Sequence, residues 1–453
     1  MAIASPNTGN TSTVASGNGK SYGPALAVLT TLFFVWGSLT SLNDVLIPFA
    51  QNVFNLNLAE SFLIQTAFFL AYFIFSIPSA RIIDWIGYKR AIIVGLSTMV
   101  AACLLVYPAA RIPSFPFFLT ALLILAAGIT VLQVAANPYV AVLGSPKTAS
   151  SRLVLTQAFN SLGTTVFPWV GARLILKESV SAAAQSASQD AVVRLYVYFF
   201  AIVLVLLAIL FAAFKLPRME AVEHHIGQKL EDSVWKHPNL VFGAIGIFVY
   251  VGAEVAIGSS ISNYLALDSV GRFASNVMDP ASRYLAAKSI AARYISIYWG
   301  GAMVGRFIGS AVLQKVKTSR VLAFCAIMTA LLVTISASSS GPVAMWSILS
   351  VGLFNSIMFP CIFTSGIAEL GPLTGDGSGI LNTAIVGGAI IPWVVGKLAD
   401  VINHARYPMM TQGELSWGHG IQYALLIATF CYLYILFYAL SGSKPNSERY
   451  AKA

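Results

Sequence analysis

The sequence predicts an all-α membrane protein, twelve transmembrane helices forming two pseudo-symmetric six-helix bundles. Two observations carry the class and a third carries the arrangement. First, 57% of the 453 residues are hydrophobic and only 10% are charged, with a mean hydropathy of +0.77. Soluble domains carry about a quarter charged residues, because their surfaces face water. Second, the apolar residues fall into runs of the length that crosses a hydrocarbon core, about 20 residues. Third, the two halves of the chain resemble each other.

The elements follow in order. Residues 1–23 are small and polar, without the basic and apolar regions of a signal peptide, and read as a disordered cytoplasmic tail. Apolar segments then run near 24–51, 58–80, 90–109, 115–143, 150–176 and 192–216. A linker at 217–237, dense in both signs of charge, separates them from six more near 238–266, 285–314, 319–337, 342–370, 378–402 and 418–441. Residues 442–453 form a second cytoplasmic tail, so the bundles span 24–216 and 238–441. About 17 of the 27 basic residues, among them Arg81, Lys89, Arg90, Lys147, Arg152, Lys315 and Arg320, fall on the side of the two tails. That asymmetry predicts a multi-pass protein of the cell inner membrane with both termini inside. The net charge of +10 is therefore a topology signal, and no nucleic-acid partner is implied. Cys103, Cys325, Cys361 and Cys431 all lie in apolar runs without ligand-like spacing, as small buried hydrophobes do.

Three matches in the same order argue for duplication. Pro168-Trp169 of segment five corresponds to Pro392-Trp393 of segment eleven. Gln133 lies five residues before Pro138, as Asn355 lies five before Pro360. Phe33–Gly37 of segment one (FFVWG) corresponds to the run beginning at Ile247 in segment seven (IFVYVG). Parallel six-helix halves with a site between them are a transporter architecture.

Two carboxylates fall inside spans, Asp44 in segment one and Glu254 in segment seven. Removing a carboxylate from water costs several kcal/mol, so such groups usually face a pathway and couple to a cation. Burial favours the protonated acid, which suits proton loading. An ionised acid among oxygens (Ser259, Ser260, Ser262 and Asn263 follow Glu254) suits Na⁺ equally well. The residues do not choose between H⁺ and Na⁺, and no other cofactor is implied. Around the acids stand the amides Asn43, Gln65, Gln133, Asn137, Gln157, Asn160, Asn263, Asn355 and Asn382. An amide both donates and accepts, as a ring of sugar hydroxyls requires, while Trp36, Phe69, Tyr72 and Trp299 offer faces for a pyranose. Singly, each amide serves equally well as glue between helices. In the loop Ala80–Ala91, Asp84 is expected near the start of the third helix, forming a conformational latch with Arg81 and Arg90. No Ser/His or metal-ligand constellation occurs in the spans, and His224 and His225 lie in the charged linker, so an enzyme is not expected.

Ala80–Ala91 keeps Asp84, Gly87 and Arg90 of the major facilitator signature G-x-x-x-D-R-x-G-R/K and lacks its opening glycine. SLNDVLIPF (Ser41–Phe49), LQVAANPYVAVLG (Leu132–Gly144), RLVLTQAFNSLG (Arg152–Gly163), YVGAEVAIGS (Tyr250–Ser259) and FNSIMFPCIFTSGI (Phe354–Ile367) resemble the fucose and glucose–galactose permease branch of that superfamily. The resemblance covers nearly the whole chain after residue 25. It implies a monomeric sugar:cation symporter working by alternating access. The branch's fucose carriers use an acid in L-N-D, matched by Asp44, and a Glu in segment four, where this chain has the non-titrating Gln133. Glu254 stands where those carriers have an amide, a pattern similar to the hexose members. The expectation is a glucose-, galactose- or mannose-type hexose. The alternatives are a facilitator or sensor on the same fold, or a carrier of fucose or an N-acetylhexosamine.

Overall fold

A computed structural model of the chain describes residues 22–42, 46, 49–50, 53–54, 56, 63–112, 114–175, 189–217, 232–277, 279–406 and 419–447. Asn43, Asp44, residues 1–21 and 448–453 of the two tails, His224, His225 and most of the linker lie outside the described residues. Nine described stretches are long and apolar enough by themselves to cross a bilayer.

In order, α1 is Gly23–Ser41, and Leu63–Arg111 contains both α2 and α3, broken at Gly87. There φ is +77°, a left-handed conformation that glycine adopts without a Cβ penalty. α4 is Phe115–Val142, α5 Ala149–Ile175 and α6 Gln189–Ala213. α7 is Pro238–Leu265, α8 ends in Ile295–Val312, and α9 is Thr318–Ser338. α10 spans Gly341–Gly366, α11 Gly371–Arg406 and α12 Gly420–Gly442. α5 and α8 are absent from the nine because they carry the polar side chains with which the two bundles meet.

Three boundaries differ from expectation for local reasons. α8 is preceded by a separate helix, Pro280–Ala291, joined through a turn at Ala292–Tyr294. Asp279 caps it by accepting from the Ser282 amide at 2.8 Å, and Pro280 is pre-set for the first turn. α11 begins at Gly371 rather than near 378, although Gly375, Gly377 and Gly379 each cost about 1 kcal/mol of helix propensity. A Cβ at Gly379 would press on Ser76 and Ala80 of α2, so the glycine permits close approach across the molecule. Asp84 lies in the last turn of α2, before the break at Gly87, and not at the start of α3. Its Oδ1 stands 3.3 Å from where a Gly375 Cβ would be, against the N-terminal turn of α11.

The duplication holds in three dimensions. A Cβ on Gly163 of α5 would strike the Phe34 carbonyl of α1, and one on Gly387 of α11 would strike the Phe248 carbonyl of α7. These glycines and phenylalanines correspond in the two alignments read from sequence. Trp169 and Trp393 both face outward, 58% and 64% exposed. The prolines act alike as well. Proline has no N–H for the carbonyl four residues back. Pro138 thus frees the Val134 carbonyl, which accepts from Ser378 Oγ at 2.8 Å. Pro360 frees the Ser356 carbonyl, which accepts from Arg306 Nε at 3.0 Å. Neighbouring helices supply the missing donors, the usual way a broken ladder is tolerated in lipid.

Candidate functional site

The bundles are stitched together at the face that carries the start of α1 and the basic residues Lys147, Lys315, Lys317 and Arg320. Ser150 of α5 bonds Thr318 of α9 (2.8 Å) and Thr364 of α10 (2.7 Å). Ser151 donates to the Ser310 carbonyl at 2.7 Å, and Ser310 returns a bond to the Ser151 carbonyl at 3.0 Å. Ser378 reaches Val134, and Val154 packs at Gly309. Small residues let the helices approach closely and hydrogen-bond. Deeper along the seam, Phe159 meets Phe307 edge-on at 5.8 Å, and Arg306 of α8 donates to the Gln157 carbonyl (3.4 Å) and Ser161 hydroxyl of α5.

Above this seam, one amide–tyrosine pair stands in each bundle. In the N-terminal bundle Gln133 Nε2 of α4 donates to Tyr72 Oη of α2 at 2.5 Å. In the C-terminal bundle Asn355 Nδ2 of α10 donates to Tyr298 Oη of α8 at 2.8 Å. The second pair extends further: Tyr298 Oη donates to the Glu254 carbonyl (3.3 Å) and Tyr250 Oη to the Asn355 carbonyl (3.1 Å). Glu254 and Tyr250 lie one turn apart on α7, on one face. The Glu254 carboxylate sits beside the Tyr250 hydroxyl and within the field of Arg306.

Buried polar atoms without a hydrogen-bond partner concentrate here. Among the described residues they include Nδ2 and Oδ1 of Asn137, Oε1 of Glu254, and Oδ1 of both Asn355 and Asn382. Each such group costs about 1–3 kcal/mol, and native structures retain few without a function or a water. Asn382 Nδ2 is held by its own helix through the Ser378 carbonyl at 2.8 Å, leaving its oxygen free.

Other expected residues divide. Asn160 donates to the Phe33 carbonyl (3.0 Å) and packs over Gly37, fastening α5 to α1. Gln157 is buried beside Arg306. Phe69 packs over Gly388, and Trp299 over Gly258 and edge-on to Tyr298 at 5.1 Å. Trp36 is enclosed, 4% exposed and 4.5 Å from the Phe33 ring, so in this state it is a core residue and offers no face to a sugar. Asn263 does not join the group: nine residues along α7 from Glu254, it accepts from Tyr284 Oη at 3.3 Å. Ser259 gives its hydroxyl to the Ala256 carbonyl of its own helix. Arg81 and Arg90 are exposed. A cavity of about 490 Å³ lies elsewhere, between α5 and α6, lined by Phe167, Arg173 and Arg194 among others.

Arg306 and the tyrosines 250, 298 and 432 join the site without having been expected there. Arg306 has a signal in the sequence, a lone cation inside GGAMVGRFIGSAV, and such residues are functional candidates by default. The tyrosines have none, because a tyrosine in an apolar run reads as core.

Two bundles of paired-repeat helices meeting at a polar seam define a membrane transporter rather than an enzyme. Residues 28–393 match the model of the Major Facilitator Superfamily, and the chain belongs to that family. It is 48% identical over 425 residues to a glucose/galactose transporter of Brucella abortus, covering 94% of this chain and 95% of that protein. It is 32% identical over 413 residues to the L-fucose-proton symporter of Escherichia coli, covering 86% and 90%. The crystal structure of the major facilitator transporter FucP in the outward conformation superposes with a TM-score of 0.79 at 29% identity, covering 94% of this chain and all of that one.

Proposed function

We propose that this protein is a secondary active transporter that imports a neutral hexose of the glucose or galactose type with a cation. Residues 24–216 and 238–441 are the two units that rock about the site, and 217–237 is the cytoplasmic linker between them. The stitched face is the cytoplasmic one, because it carries the excess of Lys and Arg. The described state is then closed to the cytoplasm, and both termini lie on the cytoplasmic side of the inner membrane.

The observation that carries the reading is the concentration of unpartnered amide and carboxylate atoms where α4, α7, α10 and α11 converge above the seam. Amides bind sugar hydroxyls without introducing a fixed charge, and Gln133, Asn137, Gln157, Asn160, Asn355 and Asn382 are the proposed sugar contacts. Phe69, Tyr72 and Trp299 supply the apolar side. Glu254 is the coupling acid of the C-terminal bundle and Asp44 that of the N-terminal one. An unpartnered carboxylate oxygen in lipid calls for a cation, and a proton neutralises it without needing further ligands. The relatives named as a glucose/galactose transporter and a proton symporter support the sugar class and the coupling. Asp84 acts in the latch through the positive end of the α11 dipole, with Arg81 and Arg90 on its flanks.

The test is counterflow and accumulation in proteoliposomes with a panel of sugars, peptides and organic cations, under separate proton and sodium gradients. Hexose accumulation driven by the proton gradient alone is expected. Preference for peptides or organic cations overturns the substrate class, and equilibration without accumulation under either gradient leaves a facilitator.

A further inference from the structure

We propose that Arg306 is the latch that holds α8 to α5 in the state closed at the basic face, and that the charge on Glu254 sets whether it holds. The latch itself stands on geometry; only the source of the charge change rests on the cation-symport reading above.

The guanidinium is anchored on its own bundle and reaches into the other. Nε is fixed by the Ser356 carbonyl, which is free because Pro360 cannot bond it. Nη1 crosses to the Gln157 carbonyl and the Ser161 hydroxyl of α5. Gln157 and Asn160 lie on that same helix, and Asn160 fastens it to α1. From the anchor a hydrogen-bonded route returns to the acid: Ser356 follows Asn355, Asn355 holds Tyr298, and Tyr298 bonds the Glu254 carbonyl. The titratable groups facing Glu254 are Tyr250 from its own helix, Tyr298 and Arg306 from α8, and Tyr432 from α12. Among these Arg306 alone carries a charge at neutral pH, and it feels the carboxylate directly.

The consequence is a competition. A neutral Glu254 leaves Arg306 to its α5 acceptors, and the seam stays shut. An ionised Glu254 draws the guanidinium inward, because attraction between opposite charges in a low-dielectric interior exceeds a bond to a carbonyl or hydroxyl. α5 then loses its Arg306 bonds to α8, and the Ser151–Ser310 pair and the Phe159–Phe307 contact are left to hold the two helices. The charge state of the acid is thereby linked to movement of the helix proposed to carry sugar contacts.

A reporter at the seam tests this without relying on transport. Ser150 is buried between α5, α9 and α10, and the four native cysteines are buried. In a Ser150→Cys background, maleimide labelling from the basic side of solubilised and reconstituted protein reports seam opening. Arg306→Gln should speed labelling by about fivefold, the low end of a coupling between two sites. Arg306→Lys and Ser161→Ala, which disturb the fold less, should speed it by smaller factors. Glu254→Gln should slow labelling, and the double variant Glu254→Gln/Arg306→Gln should match Arg306→Gln alone. Unchanged labelling in Arg306→Lys and Ser161→Ala overturns the latch, as does an effect of Glu254→Gln that persists without Arg306. The predicted labelling pattern in a protein that accumulates no sugar keeps the latch and overturns the symport reading instead.

Discussion

The two bundles share a scaffold and differ in the chemistry mounted on it. Each packs its first helix against its fifth through a glycine on a phenylalanine carbonyl, and each carries in its fourth span a proline that frees a carbonyl. Each also sets an amide against a tyrosine, Gln133–Tyr72 in one and Asn355–Tyr298 in the other. Among the described residues only the second pair is wired to an acid. The position in α1 that corresponds to Glu254 is Thr40, whose hydroxyl bonds back to the Trp36 carbonyl at 2.9 Å. The freed carbonyls differ likewise: Val134 takes a serine from the other bundle, while Ser356 takes an arginine from its own. Duplication preserved what packing requires, and the polar residues diverged where packing left them free to.

The most damaging way to probe the shared part is to fill the equivalent glycines. Gly163→Leu and Gly387→Leu should both abolish the monodisperse peak on size exclusion, because overpacking against backbone has no flexible neighbour to relieve it. Gly300→Leu and Gly396→Leu, at positions open to space, should run as the parent. Survival of one member of the first pair would break the equivalence.

Next in size is the difference in charge. Glu254→Gln should reduce the accumulation ratio by about tenfold or more while counterflow persists, as loss of an ion-coupling carboxylate in a span predicts. Thr40→Ala should leave accumulation within about twofold, since it loses only an intrahelical hydroxyl bond. Smaller again is the difference between the tyrosines. Tyr72→Phe removes one interhelical bond, about 0.6 kcal/mol in lipid, and should move Tm by a degree or two. Tyr298→Phe leaves the Asn355 amide nitrogen unpartnered and also removes a second bond to the helical Glu254 carbonyl, and should cost about 1–3 kcal/mol. Equal effects would show that the wiring to the acid is not structural.

The smallest effect is expected outside the membrane. Asp232 accepts from His237 Nε2 at 2.7 Å at the start of α7, and that bond holds its carboxyl below the ordinary carboxylate range. A depressed acid stabilises the fold above its unfolded pKa and loses that contribution as pH falls through its folded one. The carboxylate is 52% exposed, so solvent screens the pair. Asp232→Asn should therefore be nearly silent in thermal melts at pH 7, and its difference from the parent should shrink as pH falls below the ordinary aspartate range.

Much of the fold and part of the site are legible in the residues alone. Glu254, Gln133 and Asn355 stand out because a polar residue in an apolar run is costly and must be explained. The Pro-Trp pairs supply the register that the glycine contacts match. Asn263 misleads because it is near Glu254 along the chain, whereas helix rise carries it about 13 Å away. Trp36 misleads because an aromatic ring in a span looks the same whether it faces a cavity or a core. Arg306 is as legible as the acids by the same cost of a charge in lipid, but its acceptors on α5 and its link to Glu254 are not, since they come from other helices.

The sequence by itself determined the solvent, the number of spans and their duplication, because hydropathy and the cost of unpaired charge in lipid act locally along the chain. Tertiary structure alone decided the partners. Val134 and Ser378 are 244 residues apart, and Arg306 and Ser161 are 145 apart. No periodicity within a helix can encode which freed carbonyl another bundle will bring its donor to. That choice is made by how closely the helices approach, and the approach is set by glycines whose neighbours become known only once the bundles have met.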